Sequence, residues 1–327
     1  MNHVERFRAV MHFQPVDRLP RIEWATWWDQ TIERWRGEGL PVTDRYALYE
    51  HFGLDPYYQC WFGPRGPGYP ETPHGRGAVR DLADYERLRP HLYPPQDDAV
   101  AALGPWAEAQ RRGRAVVWVT LDGFFWFART LLGIEPHLLA FYDQPDLLHR
   151  INADLAAWQI GVLRRLAATC PPAFMTFAED MSYNHGPMIS RALFDEFLAP
   201  CYRRVVPVLE EMGTLPLVDS DGDVTAMVPW LEAVGLRGVL PLERQAGADA
   251  GRIRAAHGRF LMIGHYDKMV MTRGEAAMRG EFERLLPVMR AGGFIPSVDH
   301  QTPPGVSLAE YRVYLRLLAE YTAAAGA

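Results

Sequence analysis

The run Asp219-Ser220-Asp221-Gly222-Asp223 places two carboxylates two positions apart. In extended chain, side chains at i and i+2 point to the same side. Asp219 and Asp221 therefore form a pair of hard oxygen donors. Further on, Glu243 follows the apolar run 238–242, and Asp299-His300 follows the run 294–298. Carboxylates joined by an imidazole make a donor set suited to Zn²⁺, Mn²⁺, Fe²⁺ or Mg²⁺. Asp219, Asp221, Glu243 and His300 are accordingly the candidate metal ligands. The DSDGD run also looks like the opening of a calcium loop. The glutamate that should close such a loop is missing, its place being taken by Met227 or Val228.

Other chemistry-bearing residues end other apolar runs. Glu179, Asp180, Asp299 and His265 are candidate catalytic residues, Glu179 and Asp180 for proton transfer and His265 as a partner behind the ligands. Glu23, Trp24, Trp28, Asp122, Phe124, Tyr183, Tyr266 and Lys268 are candidates for the substrate pocket. A simpler role competes for each acid, because a carboxylate after a strand can cap the next helix and suits its dipole. His265 is equally readable as a satisfied core histidine, and Asp267 as a helix cap. Yet capping needs one residue per helix and does not call for Asp-x-Asp. So many carboxylates at one mouth repel one another, and a cation, or Lys268 and Arg244, would relieve that cost.

The elements that must position these groups alternate along the chain. Apolar runs occur at 19–25, 57–62 (the weakest), 115–121, 174–178, 215–218, 238–242, 260–264 and 294–298. Helical patterns occupy 44–52, 135–169, 190–212, 224–233, 249–257, 273–291 and 307–321. The last opens on Ser307 and Glu310 at capping-box spacing. Such alternation predicts a parallel sheet covered by helices. Eight runs predict a (β/α)₈ barrel of the TIM type with an N-terminal extension, one domain over 1–327. An open doubly wound sheet would carry a glycine fingerprint after its first strand, and none is present. In a barrel the site lies at the C-terminal strand ends, where the acids fall. The Gly/Pro-rich run 63–77, GPRGPGYPETPHGRG, reads as a wall or lid of that mouth or, equally, as a disordered excursion.

Composition narrows the setting. The chain has 327 residues and a net charge of −6 with no basic block, which argues against nucleic acid as a partner. No secretory leader and no apolar run of membrane-spanning length is visible in it. Its three cysteines, Cys60, Cys170 and Cys201, form no CxxC pair. The expectation is a cytoplasmic protein, not a membrane protein and without a disulfide framework.

Four segments carry a resemblance: ERFRAVMHFQPVDRLPR at 5–21, GIEPHLLAFYDQPDLLHRI at 133–151, GPMISRALFDEFLAPCYRRVV at 186–206 and GGFIPSVDHQTPPGVSLAEY at 292–311. Together they resemble the uroporphyrinogen decarboxylase superfamily. The resemblance implies a (β/α)₈ barrel. It also implies either decarboxylation or the zinc-dependent methyl transfer performed with methylated corrinoids. True decarboxylases carry an arginine-rich RQAGRY-type segment near the N-terminus, where this chain reads EWATWWDQTIERW. Their aspartate in a Ser-Asp-Ile-like context is replaced here by YYQCWFGPRG. A substrate with many carboxylates needs cationic partners, and the strand ends here are acidic and aromatic, so uroporphyrinogen is not the expected substrate.

The methyltransferase branch is closer in layout. Its His-x-Cys-Gly motif corresponds to Asp219-Ser220-Asp221-Gly222, its later cysteine before Pro-Pro to His300, and its glutamate to Glu243. The resemblance thus implies methyl transfer, with a divalent metal, a methylcorrinoid as co-substrate, a small-molecule substrate, a corrinoid protein as partner and a homodimer. The ligands have changed from soft to hard, which suits activation of water, a hydroxyl or a carboxylate better than of a thiol. A decarboxylase or other lyase acting on a smaller carboxylate substrate is the alternative. A non-catalytic barrel that binds a small molecule is the third.

Overall fold

The structure is a computed structural model that describes residues 1–326. Seven strands form one parallel sheet: β1 (Tyr57–Phe62), β2 (Val116–Asp122), β3 (Phe174–Ala178), β6 (Leu215–Ser220), β7 (Gly238–Pro241), β8 (Leu261–Tyr266) and β9 (Phe294–Val298). They pair in the order β1-β2-β3-β6-β7-β8-β9, each beside its successor in the sheet. Two short strands, β4 (Ser182–Tyr183) and β5 (Gly186–Pro187), make a small antiparallel hairpin after β3. Every residue of β2, β3, β8 and β9 is buried. Strands covered on both faces lose the in–out alternation of a half-exposed sheet, which is why these read as continuous apolar runs.

The predicted first strand, 19–25, is not a strand. Pro20 has no N–H to give to a ladder and restricts the residue before it. The segment nevertheless lies between the two edges of the sheet. Arg21 O accepts the N–H of Asp55, just before β1, at 2.8 Å. On the other side Trp24 N donates to Ser297 Oγ of β9 at 3.2 Å, and Trp24 Nε1 to Val298 O at 2.6 Å. The sheet therefore curls until its edges face one segment. It is seven-stranded, with irregular chain where an eighth strand would close the ring.

Helices cover the outside. The predicted helix 135–169 is two helices, Ile134–Asp143 and Pro145–Thr169. Pro145 takes the first turn of the second, where its missing N–H costs nothing, and leaves Gln144 outside both. The pattern at 190–212 resolves into Arg191–Leu193, a π-helical turn at Phe194–Leu198 and the helix Ala199–Glu211. Ser307 and Glu310 form the expected capping box of Leu308–Ala324. No helix among the described residues is long and apolar enough to cross a membrane.

The Gly/Pro-rich run is fastened to the sheet's surround. Gly66 N donates to His91 O at 2.9 Å, Ile134 N to Gly75 O at 3.1 Å and Val79 N to Leu131 O at 3.0 Å. Gly77 lies so close to the end of helix Phe124–Leu132 that a Cβ there would stand 2.1 Å from Leu131 O. No other residue type fits that approach.

Candidate metal centre

Three of the four predicted ligands converge. Asp221, just past β6, Glu243, just past β7, and His300, just past β9, each bring one ligand atom within 4.8 Å of the others. His300 Nε2 stands 3.8 Å from Asp221 Oδ2. All three residues are half-buried. Burial, and next the Lys268 ammonium, hold His300 below its ordinary value. Its ring is thus neutral near pH 7, which is the form that ligates a metal. Asp219 lies outside this group, on β6 itself. Burial first, then the carboxylates of Asp180 and Asp221, push its carboxyl well above the usual range. Burial and the same kind of crowding, from Asp180 and Glu243, push Asp221 up to about 7.

Local backbone geometry explains the convergence. Gly222 has φ +87°, and a Cβ there would meet Tyr183 N at 2.5 Å. Only glycine lets the chain turn so tightly against the hairpin. Ser182 Oγ donates to Asp221 O at 2.5 Å, and Asp223 N to Tyr183 O at 3.0 Å, so the acidic run is latched to β4. Gly222 N donates to Glu243 Oε2 at 3.0 Å, which aims that carboxylate at the group. Asp180 adopts a left-handed φ of 39° and accepts the N–H of Asp221 at 3.4 Å. Burial raises its carboxyl too.

Lys268 and Asp299 pair beside the ligands. The Lys268 ammonium lies 3.1 Å from Asp299 Oδ1, and the N–H groups of Lys268 and Arg244 add 3.2 and 3.1 Å bonds to that carboxylate. Arg244 thus serves Asp299 through its backbone. Trp24 meets His300 edge to face with ring centres 6.1 Å apart.

Other predicted site residues stand elsewhere. Glu179 is fully buried and accepts N–H bonds from Phe124 and Phe125 at 2.8 Å and Trp126 at 3.2 Å, together with the Tyr202 hydroxyl. It caps helix Phe124–Leu132 from the neighbouring strand, and burial pushes it up to about 7 against those donors. His265 is also fully buried. Its Nδ1 bonds Leu242 O at 2.8 Å and its Nε2 accepts from Ala250 N at 3.2 Å, which makes it a satisfied neutral ring. Tyr266 is enclosed by Phe282 and Tyr314 and donates to Met278 O. Phe124 packs on Phe177 and Tyr202. Glu23 is enclosed with Ser297 and Tyr311, and burial pushes it up to about 7. Asp122 accepts the Trp61 indole N–H at 3.0 Å, while Trp28 and Tyr183 are exposed.

Arg129 was not among the residues singled out by sequence. It extends from helix Phe124–Leu132, stacks on Trp126 at 5.0 Å and donates to Asp180 O at 3.3 Å. Its position five residues into a helix gave no strand-end signal.

A sequence model described as uroporphyrinogen decarboxylase matches residues 68–321. No curated protein matches the sequence. Among solved structures, the fold is similar to a methyltransferase from Methanosarcina mazei. The TM-score is 0.70 at 14% identity, over 98% of this chain and 99% of that one. A D-psicose 3-epimerase with D-tagatose from Clostridium cellulolyticum H10 aligns with a TM-score of 0.44 at 13% identity, over 91% and 94% of the two chains.

Proposed function

Because the chain belongs to the uroporphyrinogen decarboxylase family, we propose that it is a divalent-metal enzyme of the methyl-transfer kind, acting on a small molecule with an oxygen-centred acceptor. The observation that carries this reading is the convergence of Asp221, Glu243 and His300 within 4.8 Å at three strand ends. Two hard carboxylates and one neutral imidazole match Zn²⁺, Mn²⁺, Fe²⁺ or Mg²⁺, and three protein ligands leave positions open for substrate. A cation held there supplies Lewis-acid polarisation of a hydroxyl, carboxylate or water oxygen.

The surrounding groups have supporting roles. Asp180 and Asp219 have carboxyls raised by burial, which favours their protonated form and suits them to exchange a proton with the acceptor oxygen. Lys268, anchored by Asp299, presents an ammonium beside the ligands to orient an anionic substrate atom. Trp24 forms an apolar wall against His300. A methylcorrinoid as methyl source and a corrinoid protein as partner are what the resemblance of the Asp219–Gly222, Glu243 and His300 segments to the methyltransferase branch implies.

Decarboxylation is the second reading, favoured by the same raised carboxyls. A carbanion left by CO₂ loss needs a proton, and the Asp219 carboxyl, raised by burial and two acidic neighbours, would supply it in this reading.

The test begins with metal analysis of protein purified without chelator. The expected result is near-stoichiometric divalent metal, and loss of it in Asp221→Asn. Turnover with methylcob(III)alamin, followed by the visible spectrum of the corrinoid, supports methyl transfer. CO₂ release from carboxylate substrates with no corrinoid present supports the lyase. Metal below about a tenth of an equivalent, with no uptake on adding Zn²⁺, Mn²⁺ or Fe²⁺, refutes the metal centre.

A further inference from the structure

A cavity of about 200 Å³ lies beside the acidic mouth, between the Gly/Pro-rich run and helix Phe124–Leu132. Its lining includes Arg65, His74, Arg76, Trp126 and Arg129, and no carboxylate. Neither Arg65, Arg76 nor Arg129 makes an ion pair among the described residues. Three arginines lining one small space, with no acidic residue among the lining, make it electropositive and favour an anion there.

The geometry points to this cavity as an oxyanion subsite: Arg65, Arg76 and Arg129 bind a carboxylate or phosphate group of the substrate whose other end reaches Asp221, Glu243 and His300. This rests on the reading of those three residues as the metal-dependent reaction site.

The subsite is built, not incidental. The backbone that carries Arg76 is pinned on both sides by the Ile134–Gly75 bond and the close approach of Gly77 to Leu131. Arg129 is half-buried, held flat by Trp126 and by its bond to Asp180 O. That bond uses one N–H of the five a guanidinium carries. The planar fork of arginine matches two oxygens of a carboxylate or phosphate at once.

The subsite also connects to the mouth. Arg129 touches Asp180 O at 3.3 Å, and Asp180 accepts the Asp221 N–H at 3.4 Å. One residue, Asp180, therefore separates Arg129 from a candidate ligand. An anion approaching the mouth meets Asp180, Asp219, Asp221, Glu243 and Asp299. Attraction is offered by a bound cation, by Lys268 and Arg244, and by this cavity. The substrate implied is an elongated anion, with an oxyanion tail in the arginine cavity and an oxygen-bearing head at the ligands.

Isothermal titration of the full-length protein with tricarballylate, a tricarboxylate, and with inorganic pyrophosphate tests this. The expected result is saturable binding of at least one of them, weakened by salt. The tighter probe tells whether the tail is a carboxylate or a phosphate. Arg65→Gln and Arg76→Gln, both at exposed positions, should each weaken binding about tenfold, and the double variant should abolish it. Arg76→Glu should weaken it further. All of these variants should retain the metal content of the parent protein. Asp221→Asn should lose metal and keep anion binding. Absence of binding to both probes, or equal affinity in the Arg65/Arg76 double variant, overturns the subsite. Anion binding by a protein that takes up no metal overturns only the metal-centre reading.

Discussion

His300→Ala removes the one nitrogen donor from the converging group, leaving Asp221 and Glu243. The expected outcome is loss of most bound metal, read by elemental analysis, with the melting temperature of chelator-treated protein unchanged. Retained metal in this variant would show that the ligands lie elsewhere. A different histidine controls stability. Burial holds His265 down to about 4 against an ordinary 6.5, so it is neutral in the fold. His137, lodged between Phe125 and Phe141 with both ring nitrogens unpartnered, is held down to about 3 by burial. Between pH 6.5 and 4 the unfolded chain takes up protons at these rings that the native chain does not. Stability is therefore full above pH 6.5 and declines as pH falls through that window. His137→Phe should reduce the loss in melting temperature between pH 7 and pH 5, and an unchanged loss would refute this account. Residue types at strand ends were legible in the sequence, whereas side-chain direction was not. Gly264 and His265 both have positive φ, so β8 leaves the regular alternation at its end, and spacing alone could not place His265 or Tyr266.

Elements depend on one another through groups that belong to neighbours. Glu179 follows β3 yet serves the start of helix Phe124–Leu132, which has no side-chain cap of its own. Glu179→Ala leaves three backbone N–H groups and the Tyr202 hydroxyl without their acceptor in a buried site. The expected cost is about 2–4 kcal/mol in urea unfolding. A cost of under about 0.5 kcal/mol would mean that water replaces the carboxylate there. Gly77→Val should detach the Gly/Pro-rich run from Leu131 and raise its rate of cleavage by trypsin, which cuts after Arg65 and Arg76. The periodicity predicted six strands of the sheet within one or two residues and also the weak run that became β1. It could not show that the loop's arginines gather around a cavity with a helix residue some fifty positions on, because that contact depends on the curl of the sheet.

At the scale of the whole molecule, the alternation of apolar runs and helical patterns was enough to anticipate a parallel sheet under helices with acids at its mouth. It overcounted by one, since 19–25 has the composition of a strand but carries a proline and two contacts made through side chains. The charge distribution was only half legible. The acids announce themselves by following strands, while Arg65, Arg76 and Arg129 are scattered among ordinary loop and helix positions. The mouth therefore carries opposite signs on adjacent sides, and a net charge of −6 conceals that division.

The sheet's missing rung has a mechanical consequence. A hoop sewn shut along one line yields at the stitching, and here the stitching is Trp24, Ser297 and the Arg21–Asp55 bond. Amides of β1 and β9 that face this line should exchange with deuterium sooner than those of β3, which has a partner on each side. His300 leans on Trp24 at that very line, so a cation drawn in by His300, Asp221 and Glu243 would tighten the stitch. Slower exchange at β9 on adding Zn²⁺ or Mn²⁺, lost in His300→Ala, is the expected mark. Uniform exchange along all seven strands would mean that the hoop has no weak line.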